Sequence, residues 1–474
     1  MKVSRRALAT LGVLGGSFLA AIEATIVATA MPSVVEHLGG LAHYSWVFSA
    51  YLLTATVTVP LWGKLSDLYG RRPFYLGSVA LFLAGSALSG AAQSMTQLIA
   101  FRAIQGIGAG GLLPLGMTIL GDLYTLRERA RMQGLFSGVW GVASIVGPMV
   151  GGYITEALSW RWVFYLNLPF GFVAALFVGW ALVEPRAHEN PRIDYRGAIL
   201  LSASVTMLLV ALGQTGNQDR VLSLPLVVAL YGSAVLLAVA FTLAERQAAE
   251  PIVPLSFFGD RLVSALTICG FLVGIAMFGA ISFVPLFVQG ALGGDARQAG
   301  SALTPLLLGW VVMSIVSGRA LPHVGYRPLI LTGLALVTFG FAGLTRVGRG
   351  TSMWALYADL SLMGLGMGMT MLTLLIGLQN AVPRSQLGVA TSLGQFTRSI
   401  GGAIGVAMMG TIVAVSLPPG RTPDPRQLEH ALRNAFLAGT VVAVSALILA
   451  LRVPGGGPTG EHPEIADDEA VSTR

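Results

Sequence analysis

Charge is scarce in this chain. Of 474 residues, 11% are Asp, Glu, Lys or Arg and 54% are hydrophobic, and the mean hydropathy is +0.74. A soluble globular protein carries about 25% charged residues, so water is excluded as the solvent for much of this surface and the lipid bilayer takes its place. Cysteine is nearly missing. The single Cys269 rules out an intrachain disulfide and a thiolate metal cluster. The six His are dispersed, without the cluster of His, Asp or Glu that an integral-membrane enzyme needs at a membrane face. The absence of a G-x-x-x-x-G-K-S/T loop argues against direct ATP drive. No cofactor, no metal and no nucleic-acid partner is expected: the net charge of +7 comes from basic residues scattered in short loops, as positive loops on the cytoplasmic side would be.

Long apolar runs are abundant. A spanning helix needs about 20 mostly apolar residues, and fourteen candidates fit: 8–31, 44–62, 74–94, 97–121, 133–157, 162–183, 197–215, 222–244, 262–288, 299–321, 328–346, 353–376, 387–415 and 434–452. The 60 Gly suit close helix approach in a membrane. Apart from Arg346 and Arg452 at the last positions of their spans, charges in the candidates are few: Glu23, Arg102, Glu156, Arg319, Asp359 and Arg398. The first segment follows Lys2, Arg5 and Arg6, as a signal peptide would. It is too long for a signal core, contains Glu23 and precedes thirteen more spans, so it reads as a retained helix.

Orientation follows from the loop cations. In the first half one side carries Lys2, Arg5, Arg6, Lys64, Arg71, Arg72, Arg127, Arg129, Arg131, Arg186, Arg192 and Arg196, against Arg161 and Arg220 as the main cations on the other. Both termini are therefore expected in the cytoplasm of a multi-pass cell (inner) membrane protein. The asymmetry weakens in a long outer loop at 416–433, with Arg421, Arg426 and Arg433. The Gly-, Pro- and acid-rich tail 453–474 reads as disordered.

The chain also repeats itself. Gly63, Gly70, Arg72 and Pro73 follow the second span, and Gly318, Gly325, Arg327 and Pro328 follow the tenth, each pair offset by 255 residues. The same offset carries Gly147 onto Gly402, whereas Asp67 falls opposite Pro322. The expected architecture is an all-α membrane protein of 14 transmembrane helices: an N-terminal six-helix half (1–185), two inserted helices with linkers (186–250) and a C-terminal six-helix half (251–452). Halves related in this way pack as parallel repeats with a central site at their interface.

GKLSDLYGRRP at 63–73 resembles the major facilitator superfamily motif G-x-L-x-D-x-x-G-R-R/K between the second and third helices. Arg102 with Gln105, Gly106 and Gly110 resembles the fourth-helix motif with its buried arginine. Gly138, Gly147, Pro148, Gly151 and Gly152 resemble the fifth-helix antiporter motif, which in this superfamily marks exporters. SWRWVFYLNLPFG at 159–171 is similar to the junction of the fourteen-helix drug–proton antiporter branch. The resemblance implies the major facilitator fold, alternating access, export and proton coupling. Two positions depart from it: Glu23 stands where the branch usually has Asp, and Ala28 where it has Asn.

Read physically, Glu23 is an ionisable carboxyl deep in a span, costly when charged and able to cycle a proton. It is either the proton-coupling or cation-contacting group or a structural acid bonded across the bundle. Asp359 lies near the outer end of the twelfth span, as a second carrier or a wetted interface residue. Arg102 needs a partner, and Glu23 is a candidate. Arg398 poses the same problem with a less defined role. Glu156 ends the fifth span as a solvated terminus. In the family the counterpart of Asp67 locks the cytoplasmic gate, pairing with cations and a facing helix N-terminus. Arg71 and Arg72 are then expected to pair with Asp122. The glycines at 138, 147, 151 and 152 permit close helix contact, around Pro148.

These features point to a proton-coupled antiporter exporting hydrophobic or cationic small molecules, that is, multidrug efflux by alternating access. Export of a lipid or other endogenous amphiphile by the same fold is the alternative. A membrane enzyme or a scaffold fits the dispersed His and the two-half repeat less well.

Overall fold

A bilayer offers no water to backbone N–H and C=O groups, so a spanning chain satisfies them within each helix. The computed structural model describes residues 4–39, 44–183, 194–215, 222–248, 250–293, 298, 301–348, 350–417 and 424–453. Among these residues there are helices and no strands. The long ones are α1 (Arg5–Leu38), α2 (Tyr44–Tyr69), α3 (Arg71–Gly90), α4 (Met95–Leu123), α5 (Leu126–Ala157), α6 (Trp162–Tyr165 continued by Asn167–Ala181), α7 (Tyr195–Gln214), α8 (Leu224–Glu245), α9 (Arg261–Leu286), α10 (Thr304–Val324), α11 (Tyr326–Leu344), α12 (Met353–Asn380), α13 (Leu387–Ser416) and α14 (Pro425–Ala450). By length and apolar composition 13 of them can cross a membrane. The exception is α5, whose described residues offer only the shorter apolar stretch Gly134–Ala143.

Several helices outrun the apolar windows. Arg426 and Arg433, expected in an outer loop, lie in α14, which begins at Pro425. Asp424 caps it with Gln427 in a reciprocal capping box, Pro425 fits the first turn, and Leu428, Ala431 and Leu432 give the first two turns a buried face. Arg127, Arg129 and Arg131 likewise belong to the first turns of α5, capped by Thr125 and Glu128. Polar helix ends extend beyond the hydrocarbon, so hydropathy alone misses them. Arg186, Arg192, Arg220 and Arg421 lie outside the described residues, as does the tail from residue 454.

Helices α1–α6 pack on one another, as do α9–α14. The hairpin of α7 and α8 packs against α2 and α13, and Leu201 and Val205 of α7 join the core of the second group. Lys64 of α2 pairs with Glu250, just after this hairpin, at 2.6 Å. The hairpin's other face is apolar and exposed, with Leu236 at 71%, as a lipid-facing surface must be.

The 255-residue repeat appears in the backbone and in the contacts. Gly70 and Gly325, at φ 101° and 83°, make matching turns before α3 and α11, a conformation that favours glycine. Gly111 of α4 abuts Ser78 of α3, and Gly366 of α12 abuts Gly333 of α11, at the same offset. Gly147 of α5 meets α1 at Thr25, and its match Gly402 of α13 meets α9 at Phe278. Small residues allow these backbones to approach closely.

Candidate functional site

The sequence-identified residues fall into two places: a sealed cluster inside the first helical group, and a latch between the groups at the end carrying GKLSDLYGRRP.

The sealed cluster is built on Arg102. From α4 its guanidinium reaches Glu23 Oε1 of α1 in an ion pair, donates to Gln105 Oε1 at 2.7 Å and gives its Nε–H to the Val47 carbonyl of α2 at 3.3 Å. The Tyr51 ring lies 4.2 Å from the guanidinium carbon, within cation–π range. Asn167 closes the cluster from α6, donating to Glu23 Oε2 at 2.6 Å and to Ser86 Oγ at 2.9 Å. Ser86 in turn donates to the Phe164 carbonyl. Pro169 has no N–H for the Tyr165 carbonyl, so α6 breaks at Leu166, and Asn167 opens its second segment. Glu23 is 1% exposed, Arg102 2% and Gln105 0%. A buried charge pair is tolerated when further hydrogen bonds complete it, and both Glu23 oxygens are so occupied.

Sequence reasoning brought Glu23, Arg102 and Gln105 together and missed Asn167, Ser86 and Tyr51. Asn167 lay within SWRWVFYLNLPFG, read there only as a mark of resemblance. A lone amide in an apolar run was the available signal.

The latch is built on Asp67. Near the end of α2, its carboxylate accepts from Gly388 N at 3.0 Å and Val389 N at 2.7 Å, in the first turn of α13. It also pairs with Arg71, and Arg71 Nε donates to Asp122 Oδ2 of α4 at 3.0 Å. The carboxylate thus meets unsatisfied amides and the positive end of the α13 dipole. Asp122 takes a bond from Arg71, and Arg72 lies in the first turn of α3 with its side chain exposed. The pseudo-symmetric contact has other chemistry, because the position matching Asp67 is Pro322. There Arg129 of α5 donates to Asn380 Oδ1 at 3.2 Å, and Asn380 donates to the Tyr326 hydroxyl at 2.6 Å.

Gly63 makes the latch possible. A Cβ there would stand 2.6 Å from Ser392 Cβ and 2.7 Å from the Gly388 carbonyl oxygen. The Gly63→Ala variant is therefore expected to push α2 from α13 and weaken the closed latch. Proteolysis or thiol labelling at this end should rise several-fold, of the order of 1–3 kcal/mol for overpacking. Ser392→Gly should restore part of the protection; an unchanged Gly63→Ala variant would contradict this account.

The fifth-helix glycines divide between two partners. Gly134 and Gly141 face Ile315 and Val311 of α10, in the other group, whereas Gly147 and Gly151 face Thr25 and Ile26 of α1. Gly138 and Gly152 have open space around them. Pro148 lies in α5, but its side chain, like that of Ala28, falls outside the described residues. Asp359 is not brought to the cluster: it packs on α11 beside Gly340 and Gly343. Glu156 is exposed near the end of α5. Arg398 lies in α13 beside Met371.

Two six-helix groups latched together at one end form the arrangement of a membrane transporter and not of an enzyme. The chain belongs to the Major Facilitator Superfamily, whose profile matches residues 13–406. It is 41% identical over 413 residues to the multidrug transporter protein MdtP of Bacillus subtilis, covering 87% of this chain and 76% of that protein. It is 37% identical over 407 residues to multidrug resistance protein 3 of the same organism, covering 85% and 78%. The fold matches the human organic anion transporter MFSD10 with a TM-score of 0.67 at 16% identity, over 94% of this chain and 99% of that one.

Proposed function

We propose that the protein is a multidrug-type exporter that drives hydrophobic or cationic small molecules outward by proton antiport. The end carrying Asp67 is read as cytoplasmic, with both termini on that side of the cell membrane. The kinship with named multidrug transporters supports the substrate class. The observation that carries the coupling is the sealed Glu23–Arg102 pair. A carboxyl there has two states of very different cost. Ionised, it ties α1 to α4 and, through Asn167, to α6. Protonated, it releases Arg102 and loosens those ties. Since Glu23 is covered in the conformer closed at the Asp67 end, its proton is exchanged in another conformer. A proton then biases which end is open, which is the requirement for coupling by population shift.

The test is dye accumulation in vesicles of the full chain under an imposed pH gradient. Wild-type vesicles should accumulate dye, and collapse of the gradient should stop it. Glu23→Gln is expected to lose at least about tenfold of the gradient-driven rate, equivalent to about 1.4 kcal/mol, while still binding dye. An unaltered gradient response in Glu23→Gln would remove Glu23 from the coupling. Lack of response in the wild type, across chemically diverse dyes, would overturn antiport itself.

A further inference from the structure

Arg398 has no counterpart to Glu23. It lies midway along α13, in a small cavity between α9, α12 and α13 lined by Thr267, Met371, Leu374, Leu378 and Gln395. Among the described residues it makes no ion pair, and its guanidinium donates from Nη1 to Met371 Sδ at 3.6 Å. A thioether is a weak acceptor, and a guanidinium keeps its charge under all ordinary conditions. Such a group in the hydrocarbon region needs a strong acceptor.

A second, independent group borders the same cavity. Thr267 of α9 is 4% exposed, and its hydroxyl has no hydrogen-bond partner. Other buried threonines of this bundle, such as Thr118, Thr370 and Thr391, donate to a carbonyl of their own helix. Thr267 does not, and an unmade buried hydrogen bond is costly. Two donors without a strong acceptor, on two helices, thus border one space. Its volume is about 30 Å³, room for a carboxylate or about two waters but not for a whole drug-sized molecule. The cavity adjoins the interface between the helical groups, since its wall residue Leu375 packs on the core of the first group.

We propose that this cavity is the anchor for an anionic group, a carboxylate, on an amphiphilic substrate whose apolar body lies along the α12 side chains. Within the proposed class of hydrophobic or cationic cargo, molecules that also carry a carboxylate are then preferred, because the carboxylate meets the Arg398 guanidinium. The inference rests on the export reading for its direction of transport, and on the cavity alone for its chemistry.

Equilibrium binding to the detergent-solubilised full chain separates the two. The probes are a rhodamine with a free carboxylate and the ethyl ester of the same dye, followed by fluorescence anisotropy. Wild type should bind the acid more tightly than the ester. Arg398→Gln should weaken the acid by at least about tenfold, the scale of a charge-assisted hydrogen bond, and the ester by less than about twofold. Arg398→Lys should keep most of the preference, and Thr267→Val should weaken the acid by roughly threefold, the scale of a neutral hydrogen bond. Equal losses for both dyes, no loss for either, or a wild type indifferent to the carboxylate would overturn the proposal. If Arg398→Gln does not fold, the lysine and Thr267→Val variants decide by the same criterion. Failure of gradient-driven transport with this selectivity intact would strike the export reading and leave the anion anchor standing.

Discussion

Arg102→Leu is expected to be the most damaging single substitution in the first helical group, costing about 3–5 kcal/mol of stability. The arginine is the hub on which Glu23, Gln105, the Val47 carbonyl and the Tyr51 ring converge. Its removal leaves Glu23 buried with Asn167 alone, so the carboxyl must either hold an uncompensated charge or bind a proton. Thermal unfolding in detergent should show a clear loss for Arg102→Leu and a smaller one for Glu23→Gln. The double variant should be more stable than the sum of the two losses implies, by more than about 1 kcal/mol, because residues in one ion-pair network do not add. Simple additivity would mean that Arg102 serves its other partners and not Glu23.

The second large effect is on conformation. Asp67→Asn keeps the size of the side chain but removes the charge that Gly388 N, Val389 N and Arg71 share. Hydrogen bonds to a charged group are worth about 1.5–3 kcal/mol each, so the population closed at this end should fall steeply. Distance measurements between spin labels at positions 72 and 385, both exposed, should show a longer component in Asp67→Asn. The native Cys269 is buried and does not compete for label. The charge swap Asp67→Arg with Arg71→Asp is expected not to rescue closure. Two of the partners are backbone N–H groups, which an arginine cannot satisfy, and the carboxylate introduced at position 71 would face that of Asp122. Full rescue would show that the Asp67–Arg71 pair alone holds the latch.

Membrane insertion and helix order were legible because hydrocarbon imposes a coarse rule on composition. The partner of Arg102 was legible for the same reason: a deep cation needs an acid, and Glu23 was at hand. The ends of α5 and α14 were hidden because their capping residues and charged first turns carry no hydropathy signal. The roles of Asn167 and Ser86 were hidden too, since each bonds across more than 70 intervening residues. Asp359 shows the converse. Its charge drew attention, but its position against α11 depends on a helix rotation that spacing does not reveal. Gly147 and Gly151 of α5 were legible as a contact surface, whereas the contacts of Gly134 and Gly141 with α10 and the open space at Gly138 and Gly152 follow from tertiary packing.

The α7–α8 hairpin makes the molecule one-sided towards the bilayer. The two helical groups meet along two seams, α2 with α13 and α5 with α10. Because α7 packs on both members of the first seam, that seam has the hairpin beside it, whereas among the described residues no inserted helix packs on the second. A solute dissolved in the membrane is therefore expected to meet the two seams unequally. Its approach is set by which way the protein is turned, as well as by which end is open.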